Sequence, residues 1–541
     1  MSEGPSIVVV GLDGLEPSLV RRWSADLPTL RNLRTSGSFG RIRSADPPLS
    51  VPAWPWIYTG KQGGKHGCFS FTKREFDDYS WEPVNYSDVN AESLWEVLDA
   101  AGVACGIANV PLTYPPSDLD HGYVVAGWPS PNRAAVSNPP EVIETVEHET
   151  GERYRVNPFS VGPELMQAGD EEVLADVTEG LWHHERAFET LVRETDVEVF
   201  FCVFMATDVA GHYLGRNPDL LRKLYVEQDR ALAELLAACP DDVDTIVMSD
   251  HGHAAASDWN FHINEWLREN GYLSVTDASG FDTRSLLRRV GFTRERLVAA
   301  KRALGAEDVR GRLPQPVLDL LQRVVPPADE RSEGFDSARV DWSETVAYSP
   351  DQNVVYLNGA GTHPSGTVDE ARAGELRADL VAGLETVTHP APDRDDPLMT
   401  EIRRKEEVFR GPFVDGAPDV IPIADDMQVG IQTSFNDGEL FARDEWSEHR
   451  PFGTLITAGE SFARTDDVAE RSVLDVFPLV LALADVAVPE NFDGELPSDR
   501  LAGNFDVTCR RTHDEHGTRR EYSEAESEDV REQLRGLGYL E

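Results

Sequence analysis

Four consecutive residues, Asp250, His251, Gly252 and His253, include side chains that commonly bind metal ions or move protons. They follow residues 244–249, a short apolar run that predicts a buried strand. Open α/β sheets bind their ligands at the carboxyl ends of strands, which is where this run would place them. An Asp-His pair can also be a hydrogen-bonded loop element, and this stretch alone leaves both interpretations open.

Further Asp and His residues stand next to other predicted strands. Asp13 ends the first apolar run of the chain, although it could instead cap the helix that follows. Asp208 comes just after another apolar run, and His212 lies four residues later, so both could share one helix face. His449 lies on the approach to a further predicted strand. Asp and His residues next to predicted strands thus occur at several places besides residues 250–253.

Ser50 lies in residues 46–56, a segment that contains four prolines. Proline disfavours helix interiors and central strands, so we expect a rigid loop that ends just before a helix. A hydroxyl held on such a loop could act as a nucleophile. A plain helix cap is the alternative.

These candidates would converge if the predicted strands are parallel, because the carboxyl ends of parallel strands meet at one edge of a sheet. Such oxygen and nitrogen donors suit two adjacent divalent ions, with zinc favoured and manganese possible. Two ions about 4 Å apart can bind the attacking and leaving oxygens of a phosphoryl displacement, and a Ser hydroxyl bound there would become a nucleophile. The candidates are Asp13, Ser50, Asp208, His212, Asp250, His251 and His449.

The elements that must position them alternate along the chain, with apolar runs of strand length followed by amphipathic helical segments. This alternation predicts an α/β protein, a doubly wound α/β/α sandwich. It weakens in residues 270–345, where an Arg- and Leu-rich pattern predicts a helical insertion, either a lid or a packed ornament. We therefore expect one catalytic domain in two parts, residues 1–269 and 346–541, ending in a charged helix.

The composition limits the partners and the location of the chain. A formal net charge of −46 over 541 residues repels nucleic acid and anionic membranes, which leaves a small molecule as the expected partner. Dispersed acids with few lysines fit the salt-rich cytosol of a halophile, or simply an acidic mesophilic protein. Five scattered cysteines without a CxxC pair predict reduced thiols in a cytoplasm. We expect neither a leader segment nor a membrane span.

Several blocks of sequence, in order along the chain, resemble the alkaline phosphatase superfamily, and most of all its type I phosphodiesterase/nucleotide pyrophosphatase branch. The matching blocks are residues 10–14, 49–54, 58–60, 66–67, 207–212, 248–252 and 448–453. Residues 411–419 and 537–540 also resemble archaeal and bacterial members. The resemblance implies the alkaline phosphatase fold and a metal-dependent phosphoric ester hydrolase.

The resemblance also implies a role for each candidate. It places Asp208, His212 and His449 at one ion. It places Asp13, Asp250 and His251 at the other, with Ser50 touching the second ion or both. In the implied reaction Ser50 attacks phosphorus, and water then opens the phospho-enzyme. A monoesterase or mutase of the superfamily, a phospho-headgroup transferase and a degenerate binding protein remain alternatives.

Some positions depart from the family pattern. Nucleotide pyrophosphatases usually have Thr where Ser50 stands, and an Asn shortly after His-Gly, where residues 68–71 of this chain read Cys-Phe-Ser-Phe. Trp54 occupies the place of the Arg that sulfatases need for maturation, which argues against a sulfatase. His253 is an extra residue that could support the metal ligands. We expect the two other extra histidines, His262 and His363, to be structural.

Overall fold

A mixed sheet forms the centre of the chain in the computed structural model. The residues that the structure describes are 4–74, 79–131, 135–160, 168–253, 258–276, 335–443, 447–465, 469–503, 505, 508–511 and 521–536. The strands of the central sheet are Ile7–Leu12 (β1), Ser38–Arg43 (β2), Cys105–Val110 (β3), Gly122–Ala126 (β4), Ser137–Asn138 (β5), Val199–Phe204 (β6), Asp244–Met248 (β7), Phe452–Ala458 (β8) and Arg471–Ser472 (β9).

The order of these strands is β9-β2-β8-β7-β1-β6-β3-β4-β5. Strands β7, β1, β6, β3 and β4 are parallel to their neighbours within this group. All residues of β1 and β6 are buried, as expected for strands covered on both faces. This largely parallel sheet confirms the predicted α/β fold.

Strand β8 runs antiparallel to both of its neighbours, β7 and β2. Its first residue therefore lies at the edge where the parallel strands end. Strand β2 points the same way as β7, so the segment that follows β2 also leaves from that edge. The same edge of the sheet thus holds the ends of β1, β2, β6 and β7 and the beginning of β8.

Helices occupy most of the connections between these strands. They are Pro17–Arg22 (α1), Pro28–Ser36 (α2), Ser50–Thr59 (α3), Gly63–His66 (α4), Leu94–Ala100 (α5), Glu141–Thr150 (α6), Asp170–Glu194 (α7), Ala206–Leu214 (α8), Pro218–Ala238 (α9), Ile263–Glu269 (α10), Glu370–Leu384 (α11), Lys405–Val408 (α12), Val476–Leu483 (α13) and Glu524–Gly536 (α14). Within the described ranges, no helix is both long enough and apolar enough to cross a bilayer.

The prediction of a loop over the proline-rich segment is wrong from Ser50 onward, because Ser50 begins helix α3. Pro52 lies in the first turn, where a backbone N–H has no partner inside the helix in any case. Pro55 removes one hydrogen bond within the helix, yet all ten residues of α3 are buried. Packing of this apolar helix outweighs that loss. Gly60 ends the helix with a φ of 62°.

A second apolar core lies within residues 258–276 and 335–443. It is built around Phe261, Trp266 and Val420, which are all buried. Of the predicted insertion at 270–345, residues 277–334 lie outside the described ranges. At its described flanks, Val275 and Val340 form an antiparallel bridge, so the chain leaves and returns at one place. The predicted domain boundaries stay a prediction.

Short strands complete the described structure. They are Thr72–Arg74, Trp81–Pro83, Gly252–His253, Trp259–His262, Ala347–Tyr348, Tyr356–Leu357, Met399–Arg404, Val420–Ala424, Gly430–Gln432, Phe441–Arg443, His449–Arg450, Val488–Pro489 and Cys509–Arg510. The pairing of Gly252–His253 with His449–Arg450 places His253 directly opposite His449. This small ladder extends the central sheet at its carboxyl edge, because its two strands lie beside the end of β7 and the start of β8.

Candidate metal centre

All seven candidate residues meet at the carboxyl edge of the sheet, and each is at most 4% exposed. Asp13 follows β1, while Asp208 and His212 lie on α8 directly after β6. The others are Ser50 at the start of α3, Asp250 and His251 after β7, and His449 before β8. Gly14 turns the chain after Asp13 with a φ of 67°, and an added Cβ would lie 3.0 Å from the Cα of Asp208. Glycine thus permits the close approach of these two segments.

The first group of possible metal donors consists of Asp208, His212, His253 and His449. Its donor atoms all lie within 4.8 Å of one another. The Nε2 atoms of His212 and His449 are 3.1 Å apart. The carboxylate of Asp208 lies 3.5 Å from His212 Nε2, 3.4 Å from His449 Nε2 and 3.7 Å from His253 Nε2. The three expected donors are together, and His253 joins them.

The second group is centred on His251, whose Nε2 lies 3.5 Å from Asp13 Oδ1 and 3.2 Å from Asp250 Oδ2. The Oγ of Ser50 is 3.0 Å from the same nitrogen. Asp208 also comes within 4.8 Å of the donors of Asp13 and His251. The Asp208 carboxylate therefore lies between the two groups.

These spacings fit divalent ions. Ligand bonds of 2.0–2.1 Å in a tetrahedral site put neighbouring donors about 3.3 Å apart, close to the separations in both groups. Asp13 Oδ1 and Asp250 Oδ2 are buried and accept no hydrogen bond within the described part of the chain. Buried oxygens without a partner are costly unless a cation binds them. The donor set of carboxylates and imidazoles suits zinc or manganese.

Hydrogen bonds at the other ring nitrogens orient the imidazoles. His212 Nδ1 donates to the carbonyl of Ser447 at 2.8 Å, and His449 Nδ1 lies 3.3 Å from the carbonyl of Pro48. His253 Nδ1 is 3.1 Å from the hydroxyl of Ser447. Each of these contacts turns Nε2 toward the centre, as second hydrogen bonds of metal-bound histidines usually do. The role of Ser447 was not predicted from the sequence, where its only signal is its place two residues before His449.

Burial keeps the imidazoles neutral, since it lowers the pKa of His212 and of His251 to about 4 and also lowers those of His253 and His449. Neutral imidazole is the form that binds metal. Burial and the charge of Asp208 raise the pKa of Asp250 to about 7. Burial opposes the ionisation of Asp208 itself, but the surrounding imidazoles, above all that of His212, hold its pKa well below the usual range.

Metal binding to the metal-free protein is expected to release a proton at pH 6 and to release less at pH 8. Asp250, with a pKa of about 7, is mostly protonated at pH 6 and must ionise before it can bind a cation. His212 and His251, each with a pKa of about 4, are already neutral at both pH values and release nothing. The apparent affinity should fall by at least about tenfold per pH unit below 7, because Asp13, whose pKa burial also raises, must ionise as well.

Calorimetric titration of the metal-free protein with Zn²⁺, in two buffers of different ionisation enthalpy at each pH, measures this release directly. Equal proton release at pH 6 and pH 8 would show that Asp250 is already ionised before metal binds.

The largely parallel sheet and the Asp and His residues clustered at its carboxyl edge agree with the family match, which makes the chain a phosphoester hydrolase of the alkaline phosphatase superfamily. The chain belongs to the type I phosphodiesterase/nucleotide pyrophosphatase family, whose sequence profile matches residues 7–426. The resemblance seen in the sequence is thereby confirmed. No curated protein matches the chain in sequence.

Two solved structures are similar to this one at low sequence identity. Phosphonoacetate hydrolase from Sinorhizobium meliloti 1021, in complex with phosphonoformate, is 14% identical with a TM-score of 0.52, covering 88% of this chain and 94% of that one. Human ectonucleotide pyrophosphatase/phosphodiesterase 5 is 13% identical with a TM-score of 0.48, covering 92% of this chain and 100% of that one. The first of these likenesses supports the fold alone.

Proposed function

We propose that the chain hydrolyses phosphodiesters or pyrophosphates, with Ser50 as the nucleophile and two divalent ions, zinc or manganese, at the centre. The observation that carries this proposal is the position of the Ser50 hydroxyl, 3.0 Å from His251 Nε2 and so among the donors of the second group. Ions bound by these donors would neutralise charge on the phosphoryl oxygens and lower the pKa of the Ser50 hydroxyl.

The residues of the chain supply the nucleophile and its orientation. Ser50 is the first residue of α3, a helix of ten residues. The first N–H groups of a helix have no partner inside it, and the helix dipole favours an anion at that end. This end of α3 would therefore face a phosphoryl oxygen. The N–H groups at this end of α3 could take the role of the Asn that the family pattern places after His-Gly. In that region of this chain Phe71 is instead buried against Trp128, with ring centroids 5.9 Å apart.

The reaction follows in two displacements. Ser50 Oγ forms a bond to phosphorus, the ester P–O bond breaks, and the leaving oxygen takes up a proton. Water then attacks the phosphorus of phosphorylated Ser50. The Oγ–P bond breaks, and Ser50 regains its proton while phosphate or a phosphomonoester departs. Asp208, His212 and His449 would hold one ion, and Asp13, Asp250 and His251 the other. His253 lies near enough to Asp208 to bind the first ion or to support its ligands.

An activity panel at high salt tests this function, because a net charge of −46 calls for screening of self-repulsion. We expect turnover of bis-p-nitrophenyl phosphate with Zn²⁺ or Mn²⁺ that EDTA abolishes, and no turnover of p-nitrophenyl sulfate. Faster turnover of p-nitrophenyl phosphate would identify a monoesterase instead. Failure to cleave any ester with metal present would contradict the proposal. A cytoplasmic, halophilic setting stays a prediction.

A further inference from the structure

We propose that Trp54 is a positioning residue that holds one oxygen of the Asp13 carboxylate and thereby aims the other at a metal ion. This inference rests on the proposed function, because it assigns Asp13 to a metal site. Trp54 is fully buried on α3, one turn after Ser50. It therefore links the helix of the nucleophile to a ligand that comes from β1.

The two oxygens of Asp13 have different surroundings. The indole Nε1 of Trp54 donates to Asp13 Oδ2 at 3.1 Å. Asp13 Oδ1 accepts no hydrogen bond in the described part of the chain and lies 3.5 Å from His251 Nε2. A carboxylate held at one oxygen by a hydrogen-bond donor presents the other oxygen in a fixed direction.

Packing keeps the indole in this position. The ring lies against β1 at Gly11, where an added Cβ would stand 2.6 Å from Trp54 Cη2. The ring also contacts Phe201 of β6, with centroids 6.3 Å apart. Gly11 precedes Asp13 by two residues, so the gap that admits the indole and the carboxylate that it contacts belong to the same strand end. An indole confined in this way spends little entropy to hold Asp13.

Trp54→Phe tests the role, since it removes the N–H and keeps an aromatic ring. Residues that hydrogen-bond a metal ligand typically contribute 10- to 100-fold in metal affinity, so we expect the affinity for one Zn²⁺ to fall by about that factor. Trp95→Phe is the matched control. Trp95 is equally buried, and its Nε1 donates to Ser117 Oγ at 3.2 Å, away from the centre. It should lose stability without losing metal affinity.

Indole NMR of the wild-type protein gives a second measurement that does not depend on turnover. The chain has 11 tryptophans, and the signal missing from Trp54→Phe belongs to Trp54. Selective labelling at this position identifies it if the variant does not fold. We expect this N–H signal to shift on Zn²⁺ addition, while that of Trp95 stays in place.

An unshifted Trp54 signal in zinc-loaded protein, or zinc affinity in Trp54→Phe equal to that of Trp95→Phe, would overturn the inference. Both measurements are made without substrate. If the protein binds zinc in this way but cleaves no ester, the proposed function is contradicted, while the positioning role of Trp54 is still supported.

Discussion

Ser50→Ala is expected to lower kcat on a phosphodiester by on the order of 10⁴-fold while leaving nearly two ions bound per chain. The Ser50 hydroxyl supplies the atom that bonds to phosphorus in the proposed reaction, so its removal leaves only direct attack by water. The carboxylates and imidazoles around it remain in place and carry most of the metal affinity. Steady-state kinetics, together with metal analysis of the same protein sample, measure both quantities.

Two further variants show whether the loss is specific. Ser44→Ala removes another buried hydroxyl from the segment between β2 and α3, one that has no hydrogen-bond partner within the described residues. It should keep wild-type turnover. Ser50→Thr restores a hydroxyl at the nucleophile position and should recover part of the activity. Full activity in Ser50→Ala would mean that another group attacks phosphorus.

The carboxyl edge of the sheet could be predicted from the sequence because three of its ligand segments follow buried parallel strands. Asp13, Asp208 and Asp250 each come directly after an apolar run, and apolar runs of this length identify strands whatever their neighbours are. Parallel strands that end at one edge then bring the three carboxylates together. This step needs only local pattern and one general rule of sheet topology.

The position of His449 required information that local pattern does not contain. It precedes its strand rather than following it, so it reaches the same edge only because β8 is antiparallel to β7. Strand direction is a long-range property of the sheet. The resemblance to a known family implied that His449 binds one ion, but it did not predict the direction of β8. The place of His253 opposite His449 depends on the same pairing.

The proline-rich segment shows a different limit. The prolines predict a loop at Ser50. The free energy gained by burying an apolar helix depends on tertiary contacts, which the local sequence does not show. Trp54 was judged from the sequence only by the residue it replaces in sulfatases. Its hydrogen bond to Asp13 depends on the helix that the proline count excluded, because a loop would not place it one turn from Ser50.

Asp208→Asn is expected to remove more metal than any other single change at the centre. The Asp208 carboxylate belongs to both donor groups, so its loss weakens two sites at once. An amide oxygen is a much weaker ligand than a carboxylate for zinc or manganese, and it carries no negative charge to offset that of a bound cation. We expect fewer than about one ion per chain after loading and desalting, and a loss of kcat/KM of at least about 10³-fold.

Asp229→Asn separates this effect from the general cost of changing a buried aspartate. Asp229 is 1% exposed on α9 and accepts backbone N–H bonds from Thr29 and Leu30 at 3.0 and 2.8 Å, with no part in either donor group. It should lose folding stability yet retain metal and turnover.

If Asp208→Asn kept two ions per chain, the two donor groups would be independent of that carboxylate, and the shared-ligand arrangement would be wrong. Retention of one ion with residual turnover would instead show that only the His212 and His449 site depends on it, because Asp13, Asp250 and His251 would then bind their ion without help.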